Sequence, residues 1–284
     1  MNILVTGSNG QLGKEIQQLS KKYDSFKFFF TDIAELDITK EEKLGKYLKT
    51  NKIECIINCA AFTNVEQAEN DKANASAINT NAVKNIAEAA SKANALLIHF
   101  STDYVFDGKN FKPYTEGDTA SPKNIYGKSK FDGEIEVVFN AKRAIIIRTS
   151  WLYSAHGHNF VKSILEKAKS NSKLDVVYDQ IGTPTYAADL AKAVLDMIPM
   201  VKSKIRTEIY NYSNEGVASW YDFAKAITDI KKIKCHINPV LTKDFPSNAN
   251  RPHYSVLNKS RIKNDFKLDI PYWRDSLKEC LDLL

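Results

Sequence analysis

Residues 1–13 read Met-Asn-Ile-Leu-Val-Thr-Gly-Ser-Asn-Gly-Gln-Leu-Gly and hold the clearest structural pattern of the chain. The apolar run at residues 3–5 is typical of a strand buried on both faces of a parallel sheet. Glycines follow at positions 7, 10 and 13, and a helical pattern over residues 14–19 begins directly after them. The stretch therefore predicts a strand, a tight turn and a helix.

The three glycines favour a dinucleotide at this turn. Without a Cβ, Gly7 allows the tight turn, Gly10 lets the backbone approach a pyrophosphate, and Gly13 lets the helix pack on its strand. The helix N-terminus then presents free N–H groups and a positive dipole end to the phosphates. Asp32 ends the next apolar run, residues 28–30, where its carboxylate is placed to accept hydrogen bonds from an adenosine ribose. A lone glycine triplet indicates only a turn, but this combination predicts a dinucleotide site.

The composition sets the broad class of the protein. A chain of 284 residues, 43% of them hydrophobic, suffices for one large α/β domain with or without a smaller lobe. It has no apolar run of about 18 residues and no signal-peptide pattern, so we expect a soluble, cytoplasmic protein with no membrane partner. The four cysteines form no CxxC or zinc spacing and are expected to be reduced. The net charge of +6 comes from scattered lysines, which argues against a nucleic-acid partner.

Strand and helix patterns alternate through the first half of the chain. Such alternation implies right-handed crossovers in one parallel sheet, so residues 1–150 are predicted to form a doubly wound, Rossmann-type α/β domain. Thr39 is the expected N-cap of the second helix. The predicted strands are 3–5, 28–30, 55–59, 96–100 and 144–147, and the predicted helices are 14–19, 40–50, 72–95 and 126–140.

Shorter and more mixed patterns follow Trp151. They predict a smaller mixed α/β lobe over residues 151–284, interwoven with the first domain, and Ser219 is the expected cap of one of its helices. The predicted helices of the lobe are 159–170, 187–198, 219–230 and 273–284, and its predicted strands are 174–178 and 209–212.

Tyr126 and Lys130 form the pair best placed for chemistry. They are four residues apart at the start of a predicted helix, so both lie on one helix face. Their helix follows the loop after the strand that leads to Thr102, at the edge where open parallel sheets bind ligands. The same spacing occurs by chance elsewhere, at the end of the first helix and in an amphipathic helix of the lobe, in Tyr23/Lys27 and Tyr221/Lys225.

A tyrosine works as an acid-base group at neutral pH when its pKa, ordinarily near 10, is lowered. An ammonium about 5 Å away contributes about 3 kcal/mol towards that, and a helix N-terminus adds up to about 1 kcal/mol. We therefore expect Lys130 and the helix end to lower the pKa of Tyr126. Lys130 is also expected to hold the nicotinamide ribose, and Thr102 to offer a hydroxyl to the same substrate oxygen.

Several longer motifs are distributed along the chain from the N-terminus nearly to the C-terminus. They are the glycine turn, Asn58-Cys59-Ala60-Ala61, residues 61–69, Ser101-Thr102-Asp103-Tyr104-Val105-Phe106, Tyr126-Gly-Lys-Ser-Lys130, Arg148-Thr149-Ser150-Trp151, residues 179–185, Ser219-Trp220-Tyr221 and Arg251-Pro252-x-x-Ser255-x-Leu257. Together they resemble the extended short-chain dehydrogenases/reductases, and within that superfamily the dTDP-4-dehydrorhamnose reductase family.

This resemblance implies a reaction. NADH or NADPH would deliver a hydride to C4 of dTDP-4-dehydro-6-deoxy-L-mannose while Tyr126 protonates the alkoxide, giving dTDP-L-rhamnose for cell-surface polysaccharide. By the same matching, the catalytic residues are Tyr126, Lys130 and Thr102, and the substrate residues are Thr102, Asp103, Tyr104 and Trp151. The implied cofactor residues are Gly7, Gly10, Gln11, Leu12, Gly13, Asp32, Asp37, Ile38, Ala61, Phe62, Thr63, Tyr126 and Lys130.

The chain departs from the family pattern at two acidic positions. Glu66 stands where the family commonly has Asp, which changes reach rather than charge. Glu15 matches one acid of a magnesium-bridged dimer contact found in some relatives, but residues 277–284 do not supply its partner. His156 and His158 form a loop pair without a third ligand, so we expect no metal.

The choice of cofactor and two alternative functions stay open. Asp32 repels a 2′-phosphate and no arginine follows it, which favours NADH. One alternative is a reductase of another nucleotide-linked 4-keto-6-deoxy sugar. The other is a non-catalytic NAD(P)-binding regulatory subunit, against which the intact Tyr126/Lys130 pair argues. The partner is expected to be a small-molecule sugar nucleotide, and the protein a monomer or homodimer.

Overall fold

The computed structural model describes residues 1–201 and 206–284 of the chain. Its strands are β1 Asn2–Thr6, β2 Lys27–Phe30, β3 Cys55–Asn58, β4 Leu96–Thr102, β5 Ala144–Thr149, β6 Leu152–Tyr153, β7 Lys173–Val177, β8 Ile181–Gly182, β9 Thr185–Tyr186, β10 Thr207–Asn211, β11 Ala218–Ser219 and β12 His236–Val240. Its α-helices are α1 Gln11–Leu19, α2 Glu41–Thr50, α3 Val65–Asn70, α4 Lys72–Ser76, α5 Ala82–Ala93, α6 Ile125–Asn140, α7 Phe160–Ser170, α8 Ala187–Met197, α9 Trp220–Ile230, α10 Ser260–Phe266 and α11 Trp273–Asp282.

Six of the described strands form one parallel sheet in the order β2-β1-β3-β4-β5-β10. The chain first adds β2 on one side of β1 and then continues with β3 on the other side. In doubly wound sheets, ligands lie beyond the carboxyl ends of the strands at such a reversal. The predicted doubly wound, Rossmann-type α/β fold is confirmed.

Apolar side chains cover both faces of this sheet. Ile3 and Val5 of β1 pack with α1 and α8, whereas Leu4 packs on the opposite face with α2 and α5. All three side chains are fully buried, and burial of such a side chain contributes about 1.5–3 kcal/mol. The two helical layers therefore fix the positions of the strand ends, from which the functional loops start.

The residues after Trp151 divide between the large sheet and a second core. β10 pairs with β5 and lies at the edge of the six-stranded sheet. By contrast, β7 and β12 pair in parallel, and α7, α9 and α11 pack around them in a separate apolar cluster. Among the described residues, no helix has both the length and the apolarity needed to cross a membrane. The division into residues 1–150 and 151–284 stays a prediction.

One of the two predicted N-cap residues caps its helix, and the other does not. Ser219 caps α9 as predicted, in a capping box with Asp222. Thr39 does not cap α2, which begins after Lys40, because the Thr39 hydroxyl donates to Asp37 over 2.7 Å instead. A local side-chain hydrogen bond has therefore replaced the predicted cap.

The helix predicted over residues 72–95 is divided. A π-helical segment, Ala77–Asn81, separates α4 from α5, and the left-handed residue Asn94 ends the helix. Seven of the described elements were not predicted. The strands β6, β8, β9 and β11 have only two residues each, α3 and α10 are too short to show a helical period, and β12 contains Pro239, a residue that disfavours strands.

Candidate functional site

The glycine turn is as tight as the sequence predicted. Gly7 has a φ of 61°, and a Cβ on it would lie 2.5 Å from the backbone nitrogen of Ala60. A Cβ on Gly13 would lie 2.6 Å from the carbonyl oxygen of Gly7. Gly10 is the N-cap of α1 and has no side chain to occupy the first N–H groups of the helix. This cradle of backbone N–H groups fits a pyrophosphate.

The two acidic residues after β2 hold the loops beside this turn. Asp32 accepts hydrogen bonds from the backbone nitrogens of Asn9 at 2.9 Å and Ile33 at 2.8 Å, which ties the end of β2 to the glycine turn. Asp37 accepts from Thr39, and these hydrogen bonds hold the pKa of its carboxyl below the usual range. The side chain of Ile38 is buried in the α2 and α5 face of the core.

The other predicted cofactor residues lie in the segments that follow two neighbouring strands, β1 and β3. Gln11 opens α1 and accepts from Asn159 over 2.9 Å, while Leu12 is buried in the core. Ala61, Phe62 and Thr63 follow β3, which lies next to β1, and become more exposed towards Thr63.

Asn79 holds the loop after β3 in place. This role was not predicted from the sequence. The amide oxygen of Asn79 accepts from the Phe62 nitrogen, and its amide nitrogen donates to the Phe62 carbonyl, both over 2.9 Å. The same amide nitrogen donates to the Ser129 hydroxyl over 3.0 Å. Asn79 lies in the π-helical segment, which turns it inwards, and the sequence gives no signal for such a segment.

Tyr126 lies in the first turn of α6, beside the end of β4. Asn124 caps the helix by accepting from the Gly127 nitrogen over 2.7 Å. A Cβ on Gly127 would lie 2.3 Å from the Tyr104 carbonyl oxygen, so α6 packs directly on the turn after β4. The Thr102 hydroxyl, at the end of β4, lies near the phenol of Tyr126 and lowers its pKa, while it donates its own hydrogen bond to Asp103. The structure therefore brings the predicted acid and the predicted threonine together.

The pKa of Tyr126 differs from the sequence expectation. Burial raises it above its usual value, and the nearby Thr102 hydroxyl offsets this only in part. The expectation that Lys130 lowers the pKa of Tyr126 is wrong, because desolvation of the phenol has the largest effect on this pKa and raises it. Tyr126 is consequently protonated at neutral pH, which is the state that a proton donor needs.

Lys130 is 3% exposed and lies one turn after Tyr126. Its ammonium donates to the carbonyl oxygen of Phe100 over 2.5 Å. Burial lowers the pKa of Lys130 to about 8, since desolvation disfavours the charged form. A lysine in this position is charged at neutral pH and loses its charge in mildly alkaline solution.

Asp103 lies beside the two hydroxyls and is 2% exposed. The Thr102 hydroxyl donates to its Oδ1 over 3.0 Å. Burial nevertheless raises the pKa of Asp103 from 3.8 to about 7. Tyr104, the next residue, has its ring 5.8 Å from that of Tyr126, and burial raises its pKa to about 12.

We expect Asp103→Asn to stabilise the fold more in alkaline than in acidic solution. Between the unfolded pKa of 3.8 and the folded value of about 7, the folded state binds the proton more tightly, so wild-type stability falls as the pH rises. At about 1.4 kcal/mol per pKa unit, the difference between variant and wild type should grow by up to about 4 kcal/mol between about pH 4 and pH 8. Urea unfolding of both proteins measures it, and parallel pH profiles would contradict this burial effect.

Glu66 joins α3 to the segment formed by residues 245–252. Its carboxylate accepts from the Ser247 hydroxyl at 2.7 Å, the Asn248 nitrogen at 2.9 Å and the Arg251 guanidinium at 2.9 Å. Arg251 also donates to the Tyr104 hydroxyl over 3.5 Å. The sequence marked Glu66 and Arg251 as motif residues without a role, because they are 185 residues apart in the chain.

Trp151 has an unusual backbone conformation for its residue type, with a φ of 48°. Its ring stacks on that of Trp220 with centroids 3.6 Å apart. A Cβ on Gly182 would lie 2.7 Å from the same ring, so only glycine fits there. Trp220, which the sequence singled out only as part of a motif, thus supports one face of the predicted substrate residue.

The residues considered for a metal are engaged elsewhere. Glu15 is 3% exposed and accepts from the Ser154 hydroxyl over 2.5 Å. His156 lies 2.8 Å from the side-chain amide of Gln18, and His158 lies 3.4 Å from the Ser163 hydroxyl. Across residues 1–201 and 206–284, no group of three His, Cys, Asp or Glu side chains could hold a metal ion.

The glycine turn and the Tyr126 cluster lie at one edge of the sheet, since β1, β3 and β4 are parallel neighbours. A Rossmann-type sheet with a tyrosine and a lysine one helical turn apart at this edge is the arrangement of the extended short-chain dehydrogenases/reductases. The chain belongs to the family described as RmlD substrate binding domain, whose model matches residues 1–284.

Named relatives agree with this membership over their full lengths. A dTDP-4-dehydrorhamnose reductase from Aggregatibacter actinomycetemcomitans is 38% identical over 284 residues, which cover 97% of each chain. The crystal structure of a dTDP-4-dehydrorhamnose reductase from Clostridium acetobutylicum is similar with a TM-score of 0.94 and 40% identity, over 100% of this chain and 99% of that one. The enzyme of the same name from Bacillus anthracis, solved in complex with NADP, gives a TM-score of 0.93 and 36% identity over the same shares.

Proposed function

We propose that this protein reduces the C4 keto group of dTDP-4-dehydro-6-deoxy-L-mannose to give dTDP-L-rhamnose, the last step of dTDP-rhamnose synthesis. The observation that carries the proposal is the position of Tyr126, in the first turn of α6 and beside Thr102 at the end of β4, at the sheet edge that also carries the glycine turn. The full-length similarity to proteins named dTDP-4-dehydrorhamnose reductase supports the choice of sugar.

The residues at this edge fit NADH or NADPH, which supplies the hydride when bound. The α1 N-terminus would hold the pyrophosphate, Asp32 the adenosine ribose and Lys130 the nicotinamide ribose. The full set proposed for the cofactor is Gly7, Gly10, Gln11, Leu12, Gly13, Asp32, Asp37, Ile38, Ala61, Phe62, Thr63, Tyr126 and Lys130.

Tyr126 acts as the proton donor in this proposal. As C4 is reduced, negative charge develops on its oxygen, and the phenol of Tyr126 transfers its proton to that oxygen. The Thr102 hydroxyl lies near this phenol and would offer a hydrogen bond to the same substrate oxygen. General acid catalysis of this kind contributes about 10² to 10⁴ in rate.

The sugar nucleotide would bind between the end of β4 and the lobe formed by residues 151–284. Thr102, Asp103 and Tyr104 follow one another there, and Trp151 approaches from the lobe with its ring fixed by Trp220. We place the protein in the cytoplasm as a monomer or homodimer, with neither nucleic acid nor membrane as a partner.

A panel of nucleotide-linked 4-keto-6-deoxy sugars tests the proposal. The purified protein with NADH or NADPH should reduce the dTDP-linked L-manno keto sugar with the highest kcat/KM, and mass and NMR spectra should identify dTDP-L-rhamnose. An equal or higher kcat/KM for another keto sugar would assign the site to that substrate instead. Cofactor binding without any reduction would favour a regulatory subunit.

We expect Asp32→Asn to shift the cofactor preference towards NADPH. The wild-type carboxylate repels a 2′-phosphate, and a repulsion of about 1 kcal/mol corresponds to a roughly fivefold to tenfold change in the ratio of the two Kd values. Fluorescence titration with NADH and NADPH measures the ratio. Asp24→Asn is the control, because Asp24 is an exposed acid in the preceding loop. An unchanged ratio in Asp32→Asn would show that this carboxylate does not face the adenosine ribose.

A further inference from the structure

A buried ion pair lies one helical turn beyond Lys130. Glu134 of α6 accepts from Arg148 of β5 through both carboxylate oxygens, from Nε over 2.9 Å and from Nη2 over 2.7 Å. Both side chains are almost fully buried. The guanidinium carbon of Arg148 also lies 5.1 Å from the centre of the Phe106 ring, which fixes the plane of the fork.

Glu134 is placed to compete for the ammonium of Lys130. The two residues are four apart on α6, a spacing at which Lys and Glu side chains of a helix meet. The negative charge of Glu134 raises the pKa of Lys130. Lys130 nevertheless donates to the Phe100 carbonyl, while Glu134 gives both oxygens to Arg148.

We infer that Arg148 is a positioning residue for Lys130: it binds the Glu134 carboxylate and so leaves the lysine ammonium to the cofactor ribose and the Tyr126 site. The inference rests on the proposed function in its assignment of Lys130 to the cofactor. Without Arg148, the buried carboxylate would need another cation, and Lys130 is within one helical turn. With the fork in place, Glu134 keeps Lys130 charged from a distance without pairing with it.

Two other titratable groups close to Lys130 stay neutral. His99 of β4 is fully buried, and burial together with the charge of Lys130 holds its pKa well below the usual range. Tyr126 of α6 has a raised pKa and stays protonated. The charge state of the lysine therefore responds mainly to Glu134, and a change at Arg148 reaches the site through that carboxylate.

Cofactor binding in Arg148→Met and in the double variant Glu134→Gln/Arg148→Met tests the inference. The Kd for NADH or NADPH, whichever the wild type binds more tightly, is measured by fluorescence from about pH 6 to about pH 9, across the Lys130 pKa. Arg148→Met should weaken binding at least about tenfold at the acidic end, because Glu134 then pairs with Lys130. The double variant removes both charges and should restore the Kd to within about threefold of wild type at that pH.

The pH dependence separates positioning from general destabilisation. Binding should weaken as Lys130 loses its proton, so the alkaline loss should move to higher pH in Arg148→Met. It should move to lower pH in the double variant, which lacks the Glu134 charge. If Arg148→Met does not fold, the double variant alone decides the matter through its Kd and the direction of its pH shift. A double variant at least tenfold weaker than wild type at the acidic end, or an alkaline loss at an unchanged pH, would overturn the inference.

Lys130→Met separates this inference from the proposed function. It should weaken cofactor binding at least about tenfold in the wild-type background, because it removes the hydrogen bonds to the ribose. If Lys130→Met binds the cofactor as wild type does, the assignment of Lys130 in the proposed function fails. If Lys130→Met is weak while Arg148→Met and the double variant weaken binding equally, only the role of Arg148 fails.

Discussion

Tyr126→Phe is expected to lower kcat at least a hundredfold while the Kd of the cofactor stays within about threefold of wild type. The variant removes one hydroxyl, and with it the proton that the reduced C4 oxygen needs. The ring remains, so its packing against Tyr104 is kept. Steady-state rates and cofactor titration of the same preparations measure the two quantities.

Tyr221→Phe is the matched control for this prediction. Tyr221 has the same spacing to a lysine, Lys225, but lies in α9 against the core of the lobe. Its substitution should leave kcat within about twofold, since the hydroxyl takes no part in proton transfer. Retained turnover in Tyr126→Phe would remove Tyr126 from the role of acid, whatever the control shows.

Gly7→Ala is expected to destabilise the fold by about 2 kcal/mol or more and to weaken cofactor binding at least tenfold. The added Cβ would lie 2.5 Å from the Ala60 nitrogen and 2.6 Å from its Cα, which belong to a backbone that cannot rotate away. The φ of 61° adds strain for any residue with a side chain. Relief of the clash would separate β1 from the loop after β3, where the cofactor is proposed to lie.

Gly45→Ala is the control for Gly7→Ala, at a glycine where an added Cβ meets no close contact. Gly45 lies inside α2 and has no described atom near the position of an added Cβ. The substitution should therefore be neutral or stabilise the protein by up to about 1 kcal/mol, because alanine favours the helix. Urea unfolding measures both variants, and an equal effect at Gly7 and Gly45 would contradict the close approach at the turn.

The fold could be predicted largely because its elements have local patterns. The buried strands of the sheet are short apolar runs, and the helices between them carry apolar stripes, so each is recognisable without its neighbours. Ser219 caps its helix because both partners of the capping box lie within three residues. Thr39 shows the limit of such local rules, since Asp37, equally close, takes its hydroxyl.

The arrangement of the candidate site could be predicted for residues that lie on one element or on adjacent ones. It could not be predicted for residues that distant parts of the chain bring together. Tyr126 and Lys130 share a helix, and Thr102 ends the strand beside them. Asn79 acts through a π-helical turn, and Glu66 meets Arg251 only in the folded chain. Sequence patterns show neither the π-helical turn nor the long-range contact, so the roles of these residues could be recognised only in the structure.

The predicted direction of the Tyr126 pKa shift was wrong, because charge spacing along a helix contains no information on burial. In the structure the Lys130 ammonium donates to the Phe100 carbonyl, and the largest effect on the pKa of Tyr126 is removal of its phenol from water, which raises it. Spacing along a helix indicates only which charges lie near, while the depth of the side chain beneath the surface decides the desolvation.

Transfer of deuterium is the most direct test of the proposed reaction. NADH or NADPH carrying deuterium at the transferred position of the nicotinamide is supplied with dTDP-4-dehydro-6-deoxy-L-mannose, and the product is examined by NMR and mass spectrometry. We predict one deuterium at C4 of dTDP-L-rhamnose. Oxidation of the cofactor with no deuterium at C4, or no oxidation although the cofactor binds, would contradict the proposal that this site reduces the C4 keto group.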